Sequence, residues 1–353
     1  RKFTDDLLAY IQDNGNTVRL WGSLTARNGS TSVRSEGVQM NIWNDGWANP
    51  KSMYQQGYDL IDMNDGSVYI VPAAGYYADY LSRKSMYNYD PATRMGVPSG
   101  SEQTLGGAYA IWNDMVDQRA NGLTEMEIYD RFDDAAPYYA AALWGKSGEV
   151  SFTTAQQTSE NVGEAPGVNA YDKVDSETDE ILSYDFEDGL SDKSANEYDA
   201  ENGKNAEVKD GELVLKGGES YISTPLDKVG PEKELSFDIT LTQPAEPGQI
   251  LFEAEKDEDH EAYSTHNIRI MEDGTLGFTR EGYDYSFGYK LPVNQKMTLK
   301  IRTKNGSTVL IADGKEYKAT GSFTYEGDVK KTGITSSTLS LPLTRIGSDT
   351  NAV

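Results

Sequence analysis

From residue 3 to residue 143 the chain alternates between apolar residues at helical spacing and short β-type runs. That alternation confines this part of the chain to parallel strands with covering helices. Phe3, Leu7, Leu8, Tyr10 and Ile11 mark a first helix over 3–13, with Thr4 and the acidic residues after it as a start signal and Gly15 as a stop. Thr17–Trp21 and Val38–Trp43 read as strands, the latter followed by a helical stretch over Lys51–Gly57. Asp59–Asp62 and Ser67–Val71 follow as strands, then a long polar loop over Tyr76–Gly100, a buried strand at Ala108–Trp112, and two helices over Glu125–Phe132 and Ala135–Leu143.

The texture then changes twice. Residues 148–180 lose periodicity and fill with Ser, Thr, Gln, Glu and Gly, the composition of a solvated linker. Beyond residue 181, short alternating runs such as Glu234–Leu241 and Met297–Arg302 are punctuated by Asp-Gly and Asn-Gly dipeptides at 210–211, 273–274, 305–306 and 313–314. Such runs and turns build hairpins with one buried face each, hence a two-sheet antiparallel sandwich over 181–349. A length of 353 residues agrees with two domains.

Composition narrows the partners. With 32 Lys and Arg against 57 Asp and Glu, the formal charge of −25 disfavours nucleic acid and anionic lipid. No apolar run approaches the ~20 residues of a membrane span. Zero Cys removes disulfides, thiolate metal sites and a Cys nucleophile, and suits either the cytoplasm or export from a bacterium that builds bridge-free secreted proteins. The chain opens without an initiator Met or signal peptide, so a mature piece or fragment is expected.

Trp21, Trp43, Tyr69 and Trp112 each lie at or just beyond the end of an expected parallel strand. In parallel barrels that end carries the pocket. Flat rings converging there suit a pyranose, whose C–H face packs on an aromatic while nearby carboxylates bond its hydroxyls. Asp45, Asp79 and Asp114 are the candidates for those bonds. Any one of the Trp residues alone reads more simply as a core aromatic, and Asp45 and Asp114 also read as turn or N-cap carboxylates. Three Trp at equivalent strand ends favour the pocket. Tyr76, Tyr77, Tyr80, Tyr87 and Tyr89 suit either a self-packed loop or a substrate-facing lid. The two His, His260 and His266, have neither metal-ligand spacing nor a Ser partner.

Residues 1–147 resemble the glycoside hydrolase family 20 β-N-acetylhexosaminidases, in particular the bacterial branch that includes lacto-N-biosidases. The resemblance rests on Val38–Trp47 (VQMNIWNDGW), Val68–Pro72 (VYIVP), Gly106–Asp114 (GGAYAIWND) and Gly122–Glu125, in order and spacing. It implies strands five to eight of a (β/α)8 TIM barrel, closed by the Gly107–Asp114 segment. Trp21, Trp43 and Trp112 would wall the N-acetyl sugar pocket, and Asp114 would bind sugar hydroxyls. The Tyr that bonds the acetamido carbonyl matches Tyr69 in the biosidase-like branch, or Tyr77 in a Tyr-x-Asp pattern with Asp79.

The reaction this implies is substrate-assisted and retaining, the 2-acetamido oxygen acting as nucleophile. Its Asp-Glu acid pair belongs at the end of the fourth strand, and no strand within residues 1–147 is followed by such a pair; Arg1–Ile11 resembles the helix after it. Asp5-Asp6 and Asp133-Asp134 read as helix-surface carboxylates instead. A half-barrel with an exposed edge is expected to be neither stable nor active alone.

Residues 181–347 resemble a laminin-G or concanavalin-like sandwich of the kind appended to secreted bacterial glycosidases, entering at Ser183–Gly189 and leaving at Leu341–Gly347. Either it is a spacer, or Tyr283, Tyr285 and Tyr289 form an exposed carbohydrate-stacking face. No cofactor is expected. The acidic loop Glu255–Glu261 suits a structural Ca2+ or plain solvated charge equally. The expectation is a secreted or cell-surface bacterial hydrolase of N-acetylhexosamine-containing glycans, with lacto-N-biosidase or a non-catalytic glycan-binding protein as alternatives.

Overall fold

The structure is a computed structural model that describes residues 1–353 except 23–28, 73–76, 115–124, 146–147, 164–173, 256–265, 281–282, 305, 325–329 and 333–336. Two compact units divide the chain: Arg1–Met115 with Arg131–Gly163, and Val116–Asp130 with Glu164–Val353. Gly122–Glu125, His260 and most of the acidic loop Glu255–Glu261 fall in or beside stretches outside the described residues.

Over residues 1–163 the elements run α1 (Lys2–Asp13), β1 (Val18–Trp21), β2 (Val38–Ile42), α2 (Pro50–Gln55), β3 (Asp59–Asp62), α3 (Asp65–Val68), β4 (Tyr69–Ile70), α4 (Arg83–Tyr87), α5 (Pro91–Met95), β5 (Thr104–Gly107), β6 (Ala110–Ile111), α6 (Glu125–Leu143) and α7 (Phe152–Val162). Four strands form one sheet in the order β1-β2-β3-β5, every pairing parallel. β4 and β6 pair separately, also in parallel. Val18, Val38, Met40, Ile42 and Leu60 from the sheet pack with Leu8 of α1 and Met53 of α2 in one core. A second core gathers Val68, Ile70, Leu81, Met86, Tyr87, Ala135, Tyr138 and Tyr139.

The alternation expected for this unit holds, but several boundaries move. Ser67–Val71 is not a continuous strand: Asp65–Val68 makes a helical turn and only Tyr69–Ile70 is extended. The last strand is also divided, the main ladder taking Thr104–Gly107 and the β4 pairing taking Ala110–Ile111. Gly107 explains the close packing there. A Cβ at that position would lie 2.1 Å from the Tyr139 hydroxyl oxygen.

The polar stretch Tyr76–Gly100 is not simply a loop. Ser82 accepts from Ser85 N at the start of α4, and Asp90 with Pro91 starts α5. These local caps form helices too short to show periodicity. Glu125–Leu143 is one helix rather than two, with Pro137 inside it. Asp134 on that helix is 5 % exposed and paired with Arg83, so it is not a surface carboxylate. Within 148–180, read as linker, Phe152–Val162 is a helix capped by Ser151. Its Phe152 packs on Tyr87 and Tyr138, contacts that one aromatic in a polar stretch does not announce.

One face of the first unit is unusual. β1 is an edge strand of a parallel sheet. α1 beside it buries Leu8 but leaves Phe3, Leu7 and Tyr10 at 77 %, 44 % and 67 % exposure.

The second unit is antiparallel. A nine-stranded sheet runs in the order Lys330–Thr332, Thr320–Thr324, Tyr283–Ser286, Leu276–Arg280, Ile268–Ile270, Ile250–Glu253, Arg345–Ala352, Gly218–Ser223, Glu201–Lys204. A four-stranded sheet runs Glu234–Thr240, Lys296–Lys304, Ser307–Ala312, Lys315–Lys318. Apolar residues of both sheets share one core, with Phe237 of the smaller and Phe252 of the larger meeting at 4.9 Å. The Asp-Gly signals form the expected turns: Asp210 and Gly211 have φ of 53° and 75°, and Asp313 and Gly314 have 52° and 71°.

Two expectations for this unit are corrected. Ser183–Gly189 is not a strand, because side chains take its backbone groups; Asp192 Oδ1 accepts from Ser183 N at 2.8 Å. Tyr285 is not an exposed stacking residue. It is 1 % exposed and lies parallel to Phe278, centroids 4.9 Å apart. Tyr289 is half-buried against Tyr317. No helix among the described residues is long and apolar enough to cross a membrane.

Candidate functional site

The candidate site gathers Trp21 and Trp112 at the C-terminal ends of β1 and β6, while Tyr69, expected at a strand end, instead opens β4. Trp21 closes β1 and is 44 % exposed. Its ring meets Trp112, which directly follows β6, at a centroid distance of 5.9 Å. Trp112 is held by its backbone N–H, which donates to Ile70 O at 2.9 Å. Tyr69 lies 5.7 Å from Trp112 on one side and 5.7 Å from Tyr77 on the other. Four of the rings singled out from sequence thus form one continuous aromatic wall.

Tyr69 is nearly buried. Burial, with further help from the Asp65 carboxylate and from Tyr77, pushes its hydroxyl up to about 12, and the Trp112 indole beside it draws it back only in part. It therefore remains a protonated hydrogen-bond donor at any physiological pH. Trp112 Nε1 is buried and makes no hydrogen bond of good geometry among the described residues.

Trp43 follows β2 and stacks on Trp47 at 6.2 Å and 22°. Trp47 N–H donates to Asn44 O, closing the turn that brings the two rings together. Trp47, Asn44 and Asp65 are site neighbours that sequence reading passed over. An Asn-Asp-Gly turn, as at Asn64–Gly66, ordinarily reports only a loop.

The carboxylates separate into different settings. Asp45 is engaged by Arg94, whose Nη1 donates to its Oδ1 at 2.7 Å. Arg94 also binds Asp62 at 2.7 Å, and Asp62 is fully buried at the end of β3, where it accepts from Tyr89 at 2.9 Å. Burial raises the Asp62 pKa, against the opposing pull of Arg94 and Tyr89. For Arg94, burial works against the charge, but the bonds to Asp45 and Asp62 outweigh it and raise its pKa. Asp79 lies 3.6 Å from Arg131 and is half-buried. Asp114 is exposed, two residues past Trp112. Tyr76 lies outside the described residues.

Asp65 sits at the centre of the remaining polar contacts. Its Oδ2 accepts from Tyr77 Oη at 3.0 Å and from Asn44 Nδ2 at 3.0 Å. The site thus combines an aromatic wall, a protonated phenol and the Asp65 carboxylate bound by Tyr77 and Asn44. Among the described residues no group of three or more His, Asp or Glu is placed to hold a metal ion.

No protein-family model matches the chain, and no curated protein matches it. Among solved structures, the chain is similar to domain 4 of AbnA, a GH43 extracellular arabinanase from Geobacillus stearothermophilus in complex with arabinotriose, at 19 % identity and a TM-score of 0.30, covering 48 % of this chain and 90 % of that chain.

Proposed function

We propose that the first unit is the sugar-binding half of a family 20 type (β/α)8 barrel that releases terminal β-linked N-acetylhexosamine from glycans. The observation that carries this reading is the continuous wall of Trp21, Trp112, Tyr69 and Tyr77 beside the parallel strands. Trp21, Trp43 and Trp112 pack on the sugar and its acetamido methyl, Asp114 bonds its hydroxyls, and Tyr69 donates to the acetamido carbonyl. Tyr69 suits that role better than Tyr77, whose single proton is directed to Asp65.

In this reading the acetamido oxygen attacks the anomeric carbon while the glycosidic C–O bond breaks, and an acid protonates the leaving oxygen. Water then opens the oxazolinium ring at the same carbon, with retention. The acid and its Asp partner are supplied by polypeptide other than residues 1–147, from strands that add to the open β1 edge. The bare apolar face of α1 supports such a neighbour. The second unit acts as a laminin-G-like appendage of a secreted or cell-surface bacterial enzyme, and the chemistry calls for no metal or cofactor.

Release of 4-nitrophenol from its β-N-acetylglucosaminide and from its lacto-N-bioside by the full-length gene product tests the reading. Turnover of the first supports a hexosaminidase, and turnover of the second alone a lacto-N-biosidase. Glycan binding without turnover of either replaces the enzyme with a binding protein.

A further inference from the structure

The aromatic wall needs something to keep its parts together, because its rings come from three separate strand-end segments. Asn44 lies in the turn after β2, Asp65 opens the helical turn after β3, and Tyr77 follows β4. We propose that Asp65 is a positioning residue of the sugar site, its carboxylate tying Tyr77 to the Trp43–Asn44 turn so that the Tyr77 wall beside Tyr69 holds its spacing. This rests on the sugar-site reading above.

The bonding pattern uses the whole carboxylate. Oδ2 accepts from Tyr77 Oη and from Asn44 Nδ2, each at 3.0 Å, while Oδ1 accepts from Gly66 N at 2.9 Å. Asp65 N–H donates to Trp43 O at 2.7 Å, so the same residue also anchors the backbone that carries Trp43. The Asn44 amide has a defined sense, since its Oδ1 accepts from Gly46 N at 2.9 Å and its Nδ2 is left to reach Asp65. An amide cannot replace this acid. Asn at position 65 has one acceptor oxygen, so either Gly66 N or the Tyr77–Asn44 pair would face an NH2 donor. Tyr77 in turn lies against Tyr69 at 5.7 Å. Loss of the tether frees Tyr77 and removes one wall of the Tyr69 slot without touching Tyr69 itself.

The test uses the full-length gene product with N-acetylglucosamine as the probe, its affinity read from tryptophan fluorescence and the aromatic packing from near-UV circular dichroism. Asp65→Asn and Tyr77→Phe are each expected to weaken binding roughly tenfold, as for loss of one buried charge-assisted hydrogen bond. The double variant should be no worse than the weaker single, because both break one link. Exchanging the partners, Asn44→Asp with Asp65→Asn, should recover part of the loss, which a general packing role for Asp65 would not. Tyr77→Phe removes a single hydroxyl and serves should Asp65→Asn fail to fold. Wild-type affinity and spectrum in Asp65→Asn, or fully additive effects in the double variant, overturn the proposal. Should the wild-type chain bind no N-acetylglucosamine, the sugar-site reading fails on its own, and the spectra then decide the tether: an attenuated near-UV band in both single variants upholds it, and an unchanged one refutes it.

Discussion

Trp21 and Trp112 meet edge to face at 5.9 Å and 63°, although one ends the edge strand of the parallel ladder and the other follows a strand of the separate β4–β6 pair. The contact joins the ladder and the separate pair at one aromatic surface.

On the proposed reading, Trp112→Ala and Asp114→Ala in the full-length gene product remove a stacking face and a hydroxyl acceptor. Each should cut kcat/KM roughly tenfold to a hundredfold, the worth of a lost aromatic contact or charged hydrogen bond, with an unchanged far-UV spectrum. Unaltered kinetics in both would remove the wall from the active site.

Tyr69→Phe and Tyr77→Phe separate the two phenols. If Tyr69 donates to the acetamido carbonyl as the nucleophile forms, its loss lowers kcat by roughly a hundredfold. Tyr77→Phe should act mainly on KM, through the looser wall. The reverse ranking in steady-state kinetics would exchange their roles.

The Asp62–Arg94 pair sets a stability test with a defined sign. Burial holds the Asp62 pKa above the usual 3.8, so the folded chain binds that proton more readily than the unfolded one. Its contribution to stability is therefore complete below the unfolded value and is lost as pH rises through the raised folded value. Asp62→Asn should flatten this part of a urea-denaturation profile against pH. Arg94→Met, which leaves a buried charge without its cation, should instead cost about 3 kcal/mol at neutral pH. A profile that Asp62→Asn leaves unchanged would show that Asp62 titrates alike in both states.

In the second unit Tyr285 stacks on Phe278 and lies under Gly321, whose added Cβ would come within 2.7 Å of the ring. Tyr285→Ala should destabilise that unit by about 3 to 5 kcal/mol, the range for deleting a buried aromatic. Calorimetry reads this directly, and a loss of glycan binding without a stability change would restore Tyr285 as a surface residue.

Periodicity made much of this legible in advance. Apolar runs of period two and helical spacing separate a parallel first unit from an antiparallel second one, and Asp-Gly pairs mark the hairpins at 210–211 and 313–314, because φ above zero is a local demand that few residues meet. Trp21 and Trp112 were identifiable as strand-end aromatics for the same reason, strand ends being local, whereas Tyr69 opens its strand because Asp65–Val68 turns helical. What stayed hidden depends on which distant groups meet. Nothing near Asp134 announces Arg83, nothing near Phe152 announces Tyr87, and the turn signal at Asn64–Gly66 conceals an acid that binds both Asn44 and Tyr77. Tyr285 failed as a surface candidate because alternation states that one face is buried but not which face a partner sheet covers. Local backbone preference is written in the order of residues; the pairing of side chains across strands is decided only when the chain closes on itself, where burial makes each unmatched polar group costly.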